Sequence, residues 1–486
     1  MRPARMAVVA AATVLTALAT GPAAVAETPG HAPQQAGVAI QETELTVPTA
    51  DGLTLPATLR TPVGGAPGGP ALVLVHGAGV GPREKYRAEA EAFARAGVVT
   101  LAYDKRTVGY SLTERSYSQL ADDANAAADV LRSQPGVDPD AVGLLGISEG
   151  GWVAPLAASR APETAFVVVV GGNGLGPLRQ QTWAEAVKVE AAGVEGSLVD
   201  AASSGMYRLI NDMGMFPEPY YDPAPVLQSL RMPVLGVWGA LDRSTPPVET
   251  VAAFRENLDR AGNQHYTLRT FDAAEHSLRA TTTGFEEGAD FAPGYVELVG
   301  EWTADVAAGT PAPTSVTGTG LQTRDSVEVP PAAWYESAPA HGVALLVMVI
   351  GFAGFGLVAA ARTARRVIRR PQTDGSLAAA PVAARVIAVT GLAAVVGTMA
   401  YLATLTIVRG GHTIDPGPLV AGRTLPWLGL QVLAVATVIA GIVLVAQWWR
   451  GREVRRGAVE RVRLGLLLAA GAVFVPWSLY WGLLLP

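Results

Sequence analysis

Val142-Gly-Leu-Leu-Gly146-Ile-Ser148-Glu-Gly150-Gly-Trp152 sets the pentapeptide Gly146–Gly150 between a short apolar run, Val142 to Leu145, and a helix-like segment, Gly151 to Ser159. Such a stretch reads as a buried strand turning sharply into a helix. At that turn the serine hydroxyl is thrust off the strand end, and the flanking glycines let neighbouring backbone approach where a Cβ would collide. A chain with 54 glycines can produce the pentapeptide by chance, so the reading depends on its strand-to-helix context.

Outward from this turn, strand-like and helix-like runs alternate from about Glu42 to Ala308. The clearest strands are Ala71–Val75, Val98–Tyr103, Val142–Leu145, Phe166–Val170, Val234–Gly239 and His265–Phe271. They are short, apolar and often β-branched, as strands buried on both faces are. The alternation predicts an α/β domain with a doubly wound, mostly parallel sheet. Among the helical segments, Arg83–Ala96 and Tyr117–Arg132 stand out. The second sets Leu120, Ala124, Ala127, Ala128 and Leu131 on one face, with Asp122, Asp123 and Asp129 expected to point away.

Residues 309–340, dense in Pro, Thr, Gly and Ser, read as an extended linker closing a domain of residues 27–308. Beyond it, in 341–486, come four apolar runs: Val343–Ala361, Val386–Val408, Leu425–Trp449 and Leu464–Leu485. Each is long enough to cross a bilayer as a helix, and no ionisable side chain interrupts any of them. Arg362, Arg365, Arg366, Arg369, Arg370 and Arg385 separate the first two runs. Arg450, Arg452, Arg455, Arg456, Arg461 and Arg463 separate the last two, whereas the middle connection holds only Arg409 and Arg423. This arginine bias predicts a multi-pass cell-membrane protein with the two basic loops in the cytoplasm and the α/β domain outside. Residues 1–26 agree: Arg2 and Arg5 precede an apolar run that ends at Ala24-Val25-Ala26, the pattern of a signal peptide.

The formal charge of −6 is made up of +2 over residues 1–26, −18 over residues 27–340 and +10 over residues 341–486. An acidic soluble part argues against nucleic acid as a partner, because displacing counterions needs a basic face. The chain has no cysteine, which removes disulfides, thiolate metal sites and a cysteine nucleophile from consideration.

A serine at such a turn is a weak nucleophile until a base takes its proton. Only six histidines are available. His31 lies in the polar N-terminal stretch, His341 and His412 border the apolar runs, His265 opens a strand, and His76 belongs to a Gly-rich turn. His276 remains, on the loop Asp272-Ala-Ala-Glu-His-Ser-Leu278, where the order serine, acid, histidine expects the base. The orienting carboxylate is then sought at a strand end between Ser148 and His276. Asp242, after Val234–Gly239, answers best; Asp222, Asp272 and Glu275 are the rivals. An oxyanion formed on attack needs backbone N–H donors. One is expected at Glu149, whose side chain need not matter. The second is expected in His76-Gly77-Ala78-Gly79, with Ala78 first and Gly79 next.

Residues 71–280 resemble the α/β-hydrolase superfamily, its esterase and dienelactone-hydrolase-like, prolyl-oligopeptidase-related branch. The resemblance is carried by Leu74-Val-His-Gly-Ala-Gly79, Tyr103-Asp-Lys-Arg-Thr-Val-Gly-Tyr-Ser111, Gly146-Ile-Ser-Glu-Gly-Gly-Trp152, Trp238-Gly-Ala-Leu-Asp242 and Glu275-His-Ser277. It implies a catalytic Ser148, Asp242 and His276, a lid after the sixth strand, and neither cofactor nor metal. Relatives usually carry glycine where this chain has Thr107, so the resemblance leaves that loop's shape open.

The lid is expected at about residues 174–230. Trp183, Met206, Tyr207, Met213, Met215 and Phe216 there suit an adaptable apolar substrate pocket. They would look the same if they only packed the lid onto the domain, and both readings stand. The expected function is hydrolysis of a small-molecule carboxylic ester, acyl or lipid-like, beside the bilayer. A peptidase or thioesterase on the same residues, or a non-enzymatic membrane scaffold, is the alternative. The four spans lack intramembrane charge, which favours anchoring or docking of a membrane-protein partner over transport.

Overall fold

The runs that alternate along the sequence assemble into one nine-stranded sheet in a computed structural model, which describes residues 38–64, 68–111, 113–311, 313–368, 382–408, 414–450 and 458–486. The expected signal segment, His31, Arg409, His412 and Arg369, Arg370, Arg452, Arg455 and Arg456 of the basic loops lie outside the described residues. In chain order the domain comprises β1 (Ile40–Pro48), β2 (Thr54–Pro62), β3 (Ala71–Val75), α1 (Arg87–Arg95), β4 (Val99–Tyr103), α2 (Tyr117–Arg132), β5 (Val142–Ile147), α3 (Gly150–Arg160) and β6 (Val167–Val170). The segment expected to form the lid follows as α4 (Pro177–Ala191), α5 (Ser197–Asp200), a π-helical turn (Ala201–Gly205), α6 (Met206–Asp212) and α7 (Ala224–Leu227). Then come β7 (Val234–Gly239), α8 (Pro247–Ala261), β8 (Tyr266–Phe271), α9 (Tyr295–Ala307) and β9 (Ser315–Thr317).

The strand order is β1-β2-β4-β3-β5-β6-β7-β8-β9. β1 and β2 pair antiparallel with each other, β2 pairs antiparallel with β4, and every other neighbour is parallel. Strands β3 to β7 are buried along their whole length, which explains why they read as unbroken apolar runs. One apolar cluster covers one face through α2, α3 and α8; a second covers the other through α1 and α9. Helix α2 starts where Ser116 Oγ accepts the Gln119 N–H, and its apolar face packs as expected.

Two expectations need correction. Asp123 does not point away from the domain: it is buried and holds Arg106 through bonds of 2.6 and 2.7 Å. Three residues after Leu120, it shares the inward face of the helix, and the buried guanidinium supplies the counter-charge that makes this tolerable. Residues 309–340 are not a free linker either. Ser315–Thr317 pairs with β8 as the ninth strand, the Leu321 N–H bonds Ala240 O, and Gln322 and Ser326 both bond Glu249 on α8.

The C-terminal region contains α10 (Ala338–Ile368), α11 (Val382–Ala403) continued by a π-helical turn (Thr404–Val408), a short hairpin of β10 (Leu419–Val420) and β11 (Arg423–Thr424), α12 (Leu425–Arg450) and α13 (Ala458–Tyr480). Four stretches, Ala338–Val358, Val382–Thr406, Leu425–Arg450 and Glu460–Tyr480, are long and apolar enough to cross a membrane. Thr390 on α11 and Thr437 on α12 share a 2.7 Å bond between the two helices.

Residues Val38–Pro486 form one compact unit, and within it the lid packs on the helices. A single apolar cluster contains Ala186, Val189, Leu198, Ala202 and Met206 of the lid together with Trp427, Trp477, Trp481 and Leu483. Backbone and side-chain bonds fix the joint. Ser197 Oγ donates to Gly482 O at 2.8 Å and accepts Trp427 Nε1–H at 3.2 Å, and the Glu195 N–H donates to Gly422 O at 2.7 Å.

Candidate active site

Three side chains separated by long stretches of sequence meet at the carboxyl ends of β5, β7 and β8. Ser148 sits between β5 and α3 with φ of 54°, a left-handed backbone that a side chain adopts only under constraint. The turn closes tightly, because a Cβ at Gly146 would drive into the carbonyl of Gly150, and one at Gly150 into that of Val75. The strain thus buys exposure of the hydroxyl at the strand end.

His276 Nε2 lies 2.8 Å from Ser148 Oγ, and His276 Nδ1 lies 2.8 Å from Asp242 Oδ2. An ionised carboxylate only accepts, so Nδ1 carries the proton and Nε2 is left to accept from the serine hydroxyl. Asp242 is fully buried and held by three further donors: the N–H groups of Ser244 and Thr245 at 2.7 and 2.8 Å, and Thr245 Oγ1 at 2.6 Å. Its orientation is therefore set before the imidazole arrives. Burial pushes the His276 pKa down, but the adjacent Asp242 charge and its hydrogen bond push harder, and the net shift is upward.

The rivals fall elsewhere. Asp222 caps the turn into α7 through the Ala224 N–H, Asp272 is exposed, and Glu275 accepts the N–H groups of Ser277 and Arg279 and so shapes the loop that carries His276. Of the other described histidines, His76 is buried with Nε2 2.6 Å from Tyr103 O, and burial followed by the Lys105 charge lowers its pKa to about 3. His265 is exposed, and His341 packs against the rings of Tyr480 and Trp481.

The Gly-rich loop after β3 lies against the serine: a Cβ on Gly77 would stand 3.2 Å from Ser148 Cβ. Of the two expected donors in this loop, Gly79 already gives its N–H to Tyr110 Oη at 2.9 Å, which favours Ala78. The Glu149 side chain, expected to be idle, is one of the most connected groups in the domain. It is buried, accepts from Lys105 Nζ at 2.6 Å and Tyr110 Oη at 2.9 Å, and pairs with Arg115. These partners hold its carboxyl below the usual range against the opposing effect of burial. Sequence reading missed Lys105, Tyr110 and Arg115 as parts of the site. Lys105 and Glu149 each stand two residues past a fully buried strand, but no local pattern in the sequence pairs them. Thr107 is exposed, so the departure at that position sends no side chain into the site.

The six lid residues divide. Trp183 is buried with Nε1–H on Arg324 O, and Met206 belongs to the cluster shared with the C-terminal helices, so packing accounts for both. Tyr207 accepts from Gln181 Nε2 and meets Phe216 edge to face, while Met213 and Met215 are exposed. No group of three or more His, Asp or Glu gathers in metal-binding geometry among the described residues.

Residues 85–293 match the model of the prolyl oligopeptidase family, a span that includes all three residues of the Ser148–His276–Asp242 constellation. A thiohydrolase of Aspergillus aculeatus is 30% identical over 184 residues, covering 35% of this chain and 55% of that protein. A thiohydrolase of Arthrinium phaeospermum is 32% identical over 126 residues, covering 25% and 40%. The chain thus spans about half, or less, of the length of the curated relatives it matches. Among solved structures, an esterase from Pyrobaculum calidifontis aligns at 20% identity and TM-score 0.39, covering 56% of this chain and 87% of that one. A dienelactone hydrolase from Anabaena variabilis aligns at 21% identity and TM-score 0.34, covering 56% and 99%. The part before the four apolar helices is thus an α/β fold with a mostly parallel sheet, within which residues 85–293 match the prolyl oligopeptidase family, and it is joined to four apolar helices long enough to span a membrane.

Proposed function

We propose that the protein is a membrane-anchored serine hydrolase that cleaves carboxylic esters through an acyl-enzyme. The observation that carries this reading is the continuous pair of 2.8 Å bonds from Ser148 through His276 to Asp242, at a serine held with positive φ. In the first half-reaction Ser148 Oγ attacks the ester carbonyl while its proton passes to His276 Nε2. The negative oxygen is received by the Ala78 and Glu149 N–H groups. Collapse expels the alcohol, which takes the proton from His276, and leaves Ser148 acylated. Water then repeats the cycle, giving up its proton to His276 and releasing the acid. Asp242 keeps the imidazole in the reactive tautomer and steadies the imidazolium without itself being protonated.

The apolar lid and its seat on membrane-type helices support an acyl or lipid-like substrate. The arginine bias of the sequence supports an α/β domain outside the cytoplasm. A thioester is the second reading, favoured by the thiohydrolases among the relatives; sulfur is the better leaving group and needs no change in the residues above. Labelling the full chain with a fluorophosphonate tests the core of the reading. The parent should label and Ser148→Ala should not; equal labelling of both removes the nucleophile. A panel of esters and thioesters from acetyl to octanoyl then ranks the leaving group. Activity that peaks at acetyl and vanishes by octanoyl counts against a lipid-like substrate.

A further inference from the structure

The oxyanion donor in the loop after β3 is held by buried charge. The Gly77–Ala78 peptide unit carries the Gly77 carbonyl on one edge and the Ala78 N–H on the other, and in a trans peptide these point in opposite directions. Lys105 Nζ donates to Gly77 O at 2.7 Å. The next peptide is held as well, by the Gly79 N–H on Tyr110 Oη at 2.9 Å. Both planes flanking Ala78 Cα are therefore fixed, each by a side chain from the segment after β4.

Those two side chains converge on one carboxylate. Tyr110 Oη donates a hydrogen bond to Glu149 Oε1 at 2.9 Å, and Lys105 Nζ donates to the same oxygen at 2.6 Å. The ammonium also lies 3.9 Å from the centre of the Tyr110 ring. Arg115 pairs with the other carboxylate oxygen. Glu149 is the residue whose backbone N–H is the second oxyanion donor, so a single buried cluster reaches both donors: one through its own main chain, the other through the Gly77 carbonyl.

Burying Lys105 and Glu149, with Arg115 half-buried beside them, is costly, and apolar residues of similar size generally stabilise a fold as well or better. The arrangement is explained if its work lies in orientation and field. Burial lowers the Lys105 pKa to about 8 against the opposing Glu149 charge, so below that pH the side chain is a cation, and a cation on a carbonyl oxygen polarises that peptide so that its N–H donates more strongly.

Resting on the serine-hydrolase reading above, we infer that Lys105, with Tyr110 and Glu149, is a positioning device for the oxyanion site: it aims the Ala78 N–H through the Gly77 carbonyl and anchors the Glu149 N–H through the Glu149 side chain. Lys105 touches no reacting atom in this scheme. Its contribution appears only when charge develops on the substrate oxygen.

The test uses the full chain in detergent micelles, p-nitrophenyl butyrate as substrate, a fluorophosphonate to count competent sites, and a trifluoromethyl ketone as a tetrahedral analogue. Lys105→Met should lower kcat per titrated site by about 10- to 100-fold, short of the about 10²- to 10³-fold for losing an oxyanion donor outright, with KM near the parent value. Inhibition by the ketone should weaken by the same factor. Tyr110→Phe, which removes one hydroxyl and little volume, should show the same pattern at about 3- to 10-fold and keeps the test open if Lys105→Met fails to fold. A loss confined to the number of titrated sites, with kcat per site and ketone affinity unchanged in either folded variant, overturns the inference and leaves the cluster structural. A parent chain that the fluorophosphonate does not label defeats the serine-hydrolase reading itself, an outcome distinct from failure in the variants.

Discussion

The rim of the sheet and the back of the lid are fixed by opposite means. At the rim, Ser148, His276, Asp242, Lys105, Tyr110 and Glu149 are held by short directional bonds between polar atoms, several fully buried. At the back of the lid, Met206, Leu198 and Ala202 meet Trp427, Trp477 and Trp481 mainly through apolar area, with a few bonds such as Ser197 to Gly482. A small change that keeps the shape and charge balance of such directional contacts is expected to reach the proposed chemistry and leave the fold standing. Area contacts transmit a small change to stability and leave the chemistry standing.

The sharpest way to break that contrast is at the rim. Asp242→Asn keeps the shape but favours the wrong imidazole tautomer, and kcat for a short ester should fall by about 10⁴-fold with the thermal midpoint close to the parent. Comparable activity would mean that His276 is oriented by something else. The lid joint should behave in reverse. Trp481→Ala removes a fully buried ring and should lower stability by about 3–5 kcal/mol, read by thermal unfolding in detergent, while kcat for a short soluble ester stays close to the parent. A collapse in kcat without a loss of stability would tie the joint to the chemistry.

The rim also has a proton signature. Asp242 raises the His276 pKa above its ordinary 6.5, and the base works only when neutral. Activity should therefore be lost as pH falls through a midpoint above 6.5, by about tenfold per unit beyond it. A kcat/KM profile with its acid midpoint at or below 6.5 would remove this electrostatic coupling. The smallest effect belongs inside the bundle: Thr437→Val deletes the bond to Thr390 and should cost about 0.6 kcal/mol in an unfolding measurement.

Much of the rim was legible in the sequence because chemistry narrows it. A nucleophilic serine needs a base, six histidines are few, and the residue order left one histidine and a favoured acid. The Lys105–Glu149 cluster was not legible. Its members are 44 positions apart, and nothing local signals that two charged side chains beside buried strands will face each other. Asp123 was misassigned because an acidic residue on a helix ordinarily faces water; only the tertiary arrival of Arg106 makes its inward position affordable. The ninth strand was missed for a different reason. Ser315-Val-Thr317 joins the sheet by backbone bonds at an edge, a pairing that requires no hydrophobic period in the sequence.

The seat of the lid has a consequence for assembly. Ser197 rests on Gly482, 285 positions further along, and on Trp427, 230 positions further along, whereas β3 to β8 are complete by Phe271. In a chain synthesised from its amino end, the sheet and the residues at its rim can therefore come together before the surface that receives the lid exists. Docking of the last helices then becomes the closing step of folding. A defect in their placement would show itself first as a loose lid over a finished rim.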